Sequence, residues 1–117
     1  MNVKNRIIAL SLAILTCAVP AYAQTPAGAY LAGSWHCVAG CSGDTYIKVE
    51  NGKLWFGGQG DAVAHEGSYD SSTDMVTVDS WNAPGQVKIR DNPLTIQWLN
   101  HTDWRCDSGP CRQGKPH

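Results

Sequence analysis

Residues 33–112 read as an all-β domain, a single small antiparallel meander of about eight short strands, curled or closed into a barrel. Three observations predict it. Beyond residue 23 no window sustains a helical period. Short runs of alternating apolar and polar residues take its place, and each run stops at a cluster of Asn, Asp, Gly, Pro or Ser. Hairpin connections at even spacing favour an up-and-down meander over a Greek-key sandwich, and closure would remove the exposed edges.

The strands follow in order. Gly33-Ser34-Trp35-His36-Cys37-Val38 supplies the first. Thr45-Tyr46-Ile47-Lys48-Val49-Glu50 runs through Asn51-Gly52 into Lys53-Leu54-Trp55-Phe56. Asn-Gly suits a two-residue hairpin because both turn positions need positive φ. That turn pairs Val49 with Leu54 and Ile47 with Phe56, so all four share one face. Ala62 to Tyr69 is a further strand, turned by Asp70-Ser71-Ser72-Thr73. Met75 to Trp81 follows, with Val76 and Val78 on one face, and Asn82-Ala83-Pro84-Gly85 turns it. Gln86-Val87-Lys88-Ile89-Arg90 alternates cleanly, and Asp91-Asn92-Pro93 leads into Leu94 to Leu99. Both prolines fall in turns, where they cost no ladder hydrogen bond. For the last hairpin, a loop of Asn100-His101-Thr102 pairs Trp98 with Trp104 and Ile96 with Cys106, keeping apolar residues on one face. The same three residues fit a glycosylation acceptor pattern and are read here as a turn.

Met1 to Ala23 has the parts of a secretory signal: Lys4 and Arg6, an apolar run from Ile7 to Leu15, and a small-x-small ending at Ala21-Tyr22-Ala23. The run is shorter than the roughly 20 apolar residues that span a bilayer. Cleavage after Ala23 would leave 94 residues, exported to the periplasm or secreted. Residues 24–32 read as a flexible lead-in and 113–117 as a frayed tail. Without Lys4 and Arg6, seven basic residues face ten acidic ones, a net charge of about −3 with neutral His. A mildly acidic domain has no electrostatic reason to seek nucleic acid or anionic lipid, so neither nucleic acid nor, after signal cleavage, membrane is expected as a partner.

Five cysteines occur. Cys17 lies in the signal, and Thr16 stands before it where lipid attachment usually takes a small residue, so it is read as discarded. Cys37, Cys41, Cys106 and Cys111 remain as an even set in a small exported chain, which reads as a disulfide framework. Local pairing needs only tight loops with turn formers and is favoured. Crossed pairing would restrain the unfolded chain more and stays open. A zinc site with His36 nearby is the sharper alternative, but structural zinc favours shorter Cys-x-x-Cys spacings and thiolates oxidise outside the cytosol.

No catalytic signature stands out: Gly-x-Ser-x-Gly, His-Glu-x-x-His and a phosphate loop are all missing. Asp61, His65 and Glu66 cluster on one strand, yet adjacent residues there point to opposite faces and Asp61 lies about 13 Å from His65. They read as solvated polar positions. No cofactor or metal is expected, and no enzyme. Five Trp in so small a domain are the more suggestive feature. Parity sends Trp35, Trp98 and Trp104 to the apolar face. It sends Trp55, opposite Lys48 and beside Tyr46, to the polar face, and Trp81 likewise with Thr77 and Asp79. A polar-face indole is either covered or offered to a partner, so Tyr46, Trp55 and Trp81 are the candidate ligand-binding residues.

Two segments carry a resemblance: Gly33-Ser34-Trp35-His36-Cys37-Val38-Ala39-Gly40-Cys41, and Leu94-Thr95-Ile96-Gln97-Trp98-Leu99-Asn100-His101-Thr102-Asp103-Trp104-Arg105. Together the chain resembles a loose class of small exported bacterial β-rich proteins of uncharacterised function, which often read Asn-Gly-Thr at 100–102. Gly33-Ser34-Trp35 is also similar to the Gly-x-Trp start of lipocalin-like and avidin-like barrels. The expectation is a binding module for a small apolar ligand, a glycan or a protein. The alternative is an inhibitor of a foreign hydrolase such as lysozyme.

Overall fold

The computed structural model describes residues 25–57 and 63–116. The expected signal, 1–23, lies outside the described residues. Eight antiparallel strands close into a barrel in chain order: β1 (Gly33–Ala39), β2 (Asp44–Glu50), β3 (Lys53–Gly57), β4 (Ala64–Asp70), β5 (Met75–Val78), β6 (Gly85–Lys88), β7 (Thr95–Trp98) and β8 (Asp103–Ser108). The all-β meander is thus the observed architecture, and closure is complete because β1 pairs with β8, setting Trp35 opposite Cys106 and Cys37 opposite Trp104. Connections alternate between two ends. The β1–β2, β5–β6 and β7–β8 loops, with the end of β3 and the start of β4, meet at one end, called the mouth below. The β2–β3, β4–β5 and β6–β7 connections and the flanking segments 25–32 and 109–116 gather at the opposite end.

Local chemistry accounts for the best-defined hairpin. Asn51 and Gly52 sit at φ 55° and 74°, the two positive values that a two-residue turn matching strand twist requires. Val49 then faces Leu54 and Ile47 faces Phe56, as the alternation predicts. The interior is filled by the inward residues of successive strands, including Trp35, Ile47, Leu54, Phe56, Val76, Val78, Val87 and Ile96, each at 2% exposure or less. An eight-stranded barrel is just wide enough for side chains to fill it. Crowding is evident at Gly67, where a Cβ would stand 2.6 Å from both the Phe56 ring and the Thr77 carbonyl.

The last hairpin departs from the expected register. Trp98 N–H donates to Thr102 O at 2.8 Å, Ile96 faces Trp104, and Cys106 N–H donates to Leu94 O at 2.9 Å. The loop is therefore Leu99-Asn100-His101, one residue earlier than predicted, and each pair slides by two. His101 at φ 71° supplies the left-handed third residue of that loop type. A slide of two keeps every side chain on its face. Trp98 and Trp104 still meet, now as diagonal neighbours with ring centroids 4.9 Å apart. The cysteines pair locally, Cys37 with Cys41 and Cys106 with Cys111, at Cα separations of 5.7 and 5.9 Å.

The lead-in is a correction. Residues 29–31 form a 3₁₀ turn that drives Leu31 to 0% exposure within the core, and Leu31 O accepts the Trp35 indole N–H at 2.8 Å. An apolar side chain at the open end of a small barrel has more to gain inside than in water, and the carbonyl carried in with it is paired by the Trp35 indole. A second 3₁₀ turn, Pro110–Gln113, buries Cys111 beside it, with Cys111 N–H bonded to Ala32 O at 3.1 Å. The expected frayed tail is also held. Lys115 Nζ lies 2.7 Å from the Asp74 carboxylate, which also accepts the Tyr69 hydroxyl, and Tyr30 donates to Tyr69 at 2.9 Å. Burial and the hydrogen bond to Asp74, opposed by the bond received from Tyr30, push Tyr69 up to about 12, and burial with the bond to Tyr69 raises Tyr30 as well.

Two outcomes follow from this sealed end. Leu31→Ala should cost about 2–5 kcal/mol in urea unfolding, since it empties a fully buried site; a cost below about 0.5 kcal/mol would contradict the plug. The hydrogen bonds from Lys115 and Tyr69 hold the Asp74 carboxyl below the ordinary range. A depressed folded value contributes stability above the unfolded value of about 4, and the contribution is lost as pH falls through the folded value. Melting temperatures of wild type and Asp74→Asn should therefore differ near pH 6 and converge toward pH 2.

Candidate functional site

The mouth is where the barrel's contents reach its surface. β5 ends at Val78, earlier than the alternation suggests, because Trp81 N–H bonds back to Val78 O at 3.0 Å and turns the chain. Trp81 is therefore not a polar-face residue in line with Thr77 and Asp79. Its ring folds over the barrel interior and meets Phe56, Trp98 and Trp104 edge-to-face, at centroid separations of 6.4, 5.4 and 5.9 Å. The reason is area: an indole offers some 200 Å² for burial, and the only large apolar surface within reach is the inner rim. The ring stays partly exposed, on loop 79–84.

His65 completes the rim. It faces Phe56 across the β3–β4 ladder, its ring lies 5.5 Å from that of Trp81, and its Nδ1 is 2.9 Å from Ser80 Oγ. Asp61, His65 and Glu66 read from the sequence as solvated polar positions, and in the fold His65 and Glu66 do point to opposite faces of β4. Glu66 faces outward to Lys53 at 3.4 Å, and Asp61 lies outside the described residues. His65 instead joins Ser80 and Trp81 across two strands, a contact between residues 15 positions apart that no local spacing could signal.

One atom at the mouth stands out. Trp98 is 3% exposed, and its Nε1 has no hydrogen-bond partner among the described residues. Elsewhere the fold provides acceptors for its indoles: Trp35 Nε1 reaches Leu31 O at 2.8 Å and Trp55 Nε1 reaches Glu50 O at 3.1 Å. An indole N–H can only donate, and leaving a buried donor unpaired costs about 1–3 kcal/mol. Such a group calls for a reason.

The other two candidates stand elsewhere. Tyr46 and Trp55 lie on the outer face of β2 and β3, as parity predicts, with Trp55 between Lys48 and Glu66 in the ladders and the Tyr46 ring lying over the Gly57 backbone. Both are half-buried. The three residues thus do not form one site. A shallow groove of about 460 Å³ also crosses the outer face along Met75, Gln86 and Gln97. The Gln86 amide there already donates to Thr73 O and Asp74 O. Among the described residues no group of three or more His, Cys, Asp or Glu could hold a metal ion. No helix among them is long and apolar enough to cross a membrane.

Fold and mouth together define a small up-and-down β-barrel with a side-chain-filled interior, one end plugged by its termini and the other lidded by an indole. No family model, curated protein or solved structure matches the chain. Two of the three deeply buried indoles, Trp35 and Trp98, offer an internal test of the geometry. Trp98→Phe discards an unpaired donor, whereas Trp35→Phe discards a bonded one and strands Leu31 O. Trp98→Phe should be the milder change by about 1–3 kcal/mol in chemical unfolding. Equal costs would mean that Trp98 Nε1 is satisfied in solution.

Proposed function

We propose that the protein is an exported, non-catalytic binding module that takes its ligand at the mouth of the barrel. The observation that carries the reading is Trp81, a partly exposed indole held on a loop over three other aromatic rings. A side chain so placed offers a large apolar area on a segment that can yield without breaking a strand ladder. The filled interior favours a ligand taken at the rim over one held deep inside as in wide barrels. Two local disulfides fit an oxidising, exported location. The His65–Ser80 pair, at 2.9 Å, helps to shape that rim.

The test is a screen of small apolar molecules and short oligosaccharides, followed through the five indole N–H signals in a two-dimensional proton–nitrogen spectrum. Binders should move the Trp81 and Trp98 signals in a saturable manner and leave Trp55 in place. Trp81→Ala should change their affinity at least about fivefold, with the fold intact by circular dichroism. Binders that move only Trp55 would transfer the site to the outer face and overturn the reading.

A further inference from the structure

We infer that the mouth accepts a flat, uncharged ring of about indole size carrying one hydrogen-bond acceptor, which displaces the Trp81 ring and bonds to Trp98 Nε1. The inference rests on the mouth reading above and supplies the chemistry of its ligand.

Size comes from the present occupant. Phe56 is fixed on β3, Trp98 on β7 and Trp104 on β8, and all three are buried at 3% exposure or less. Trp81 packs against each of them from loop 79–84, where its own backbone N–H is engaged only in the turn to Val78 O. When that ring swings away it leaves a slot of its own dimensions, walled by three fixed rings. Edge-to-face packing suits another flat ring, whose rim can meet the faces of Phe56 and Trp104 as Trp81 now does.

Charge and polarity come from the walls. Phe56, Trp98 and Trp104 carry no ionisable group, and His65, whose ring lies 5.5 Å from that of Trp81, has its Nδ1 engaged with Ser80, so a charged ligand would lose its hydration against these three rings without a counter-charge from them. Aromatic cages also hold cations, but they do so with ring faces around an open space. Here the rings fill the space at centroid separations of 4.9 to 6.4 Å, and the polar atoms of the two indoles are donors. A donor repels a cation and selects an acceptor. The unpaired Trp98 N–H lies at the ring that Trp81 touches at 5.4 Å, so a carbonyl oxygen or ring nitrogen on the incoming ligand would satisfy an atom the free protein leaves unmatched. Binding energy is then drawn from a defect already present in the unliganded fold.

Three matched probes test this on the full mature protein: 1-indanone, with a carbonyl; indane, the same bicycle without it; and protonated 1-aminoindane. The readouts are affinity by titration and the indole N–H signals, with Trp98 assigned by its loss in Trp98→Phe. We expect 1-indanone to bind about tenfold or more tighter than indane, to shift the Trp98 N–H, and to bind tighter than the amine. In Trp98→Phe its affinity should fall to that of indane, while indane itself changes little. Trp81→Ala, which opens the slot beforehand, should tighten 1-indanone. Equal affinity for 1-indanone and indane, with Trp81 shifted and the Trp98 N–H unmoved, would overturn the acceptor chemistry and leave the mouth reading standing. Tightest binding by the amine would overturn the uncharged assignment. Shifts confined to Trp55 would overturn both readings, and no saturable shift with any of the three probes would overturn the flat-ring inference.

Discussion

Closure of the sheet is the constraint on which everything else depends. Once β1 pairs with β8, the interior has a fixed, narrow bore and two ends that must be dealt with separately. Among the described residues the bore is filled by one or two inward side chains from each strand. One end is stopped by the chain's own termini, with Leu31 pushed inward and the Tyr30–Tyr69–Asp74–Lys115 chain of hydrogen bonds laid across it. The other end is closed by a single ring on a loop. An interior of this kind leaves chemistry only at its rim, and the rim is aromatic.

The asymmetry between the ends is energetic as well as geometric. At the sealed end polar groups find partners: the Trp35 indole, the Tyr69 hydroxyl and the Lys115 ammonium each meet an acceptor. At the mouth the Trp98 indole does not. Among the described residues one deeply buried donor is left unmatched beside a movable lid, which puts the imperfection where a ligand could reach it. Natural folds commonly place such local disagreements at working sites.

What was legible in the sequence divides by range. The Asn51-Gly52 hairpin could be read to the residue, because two adjacent residues set both the turn and the register. Alternation placed Trp35, Trp98 and Trp104 inside, since parity survives any slide of two. That same tolerance hid the true β7–β8 register, which depends on His101 adopting positive φ. Trp81 was misplaced for a different reason. Its strand ends at Val78 through a turn whose benefit is burial against Phe56, Trp98 and Trp104, none of which is a neighbour in sequence. Leu31 and Lys115 looked like loose ends because their partners lie across the barrel. The unpaired Trp98 N–H could not be anticipated at all, for a missing partner has no residue pattern.

The local disulfides bear on how the chain comes to be made. Cys37 has its partner four positions on and Cys106 five, so each cysteine pairs with its nearest neighbour in the chain. Short loops close at little entropic expense, and an unfolded chain exposed to any oxidant would form these two bonds more readily than the crossed ones. Correct oxidation therefore requires no prior tertiary structure and no reshuffling enzyme. The corollary is that loops so short withdraw little freedom from the unfolded state. These bonds clip hairpin ends without binding one side of the cylinder to the other, and cohesion around the circumference is left to the ladder and the packed core.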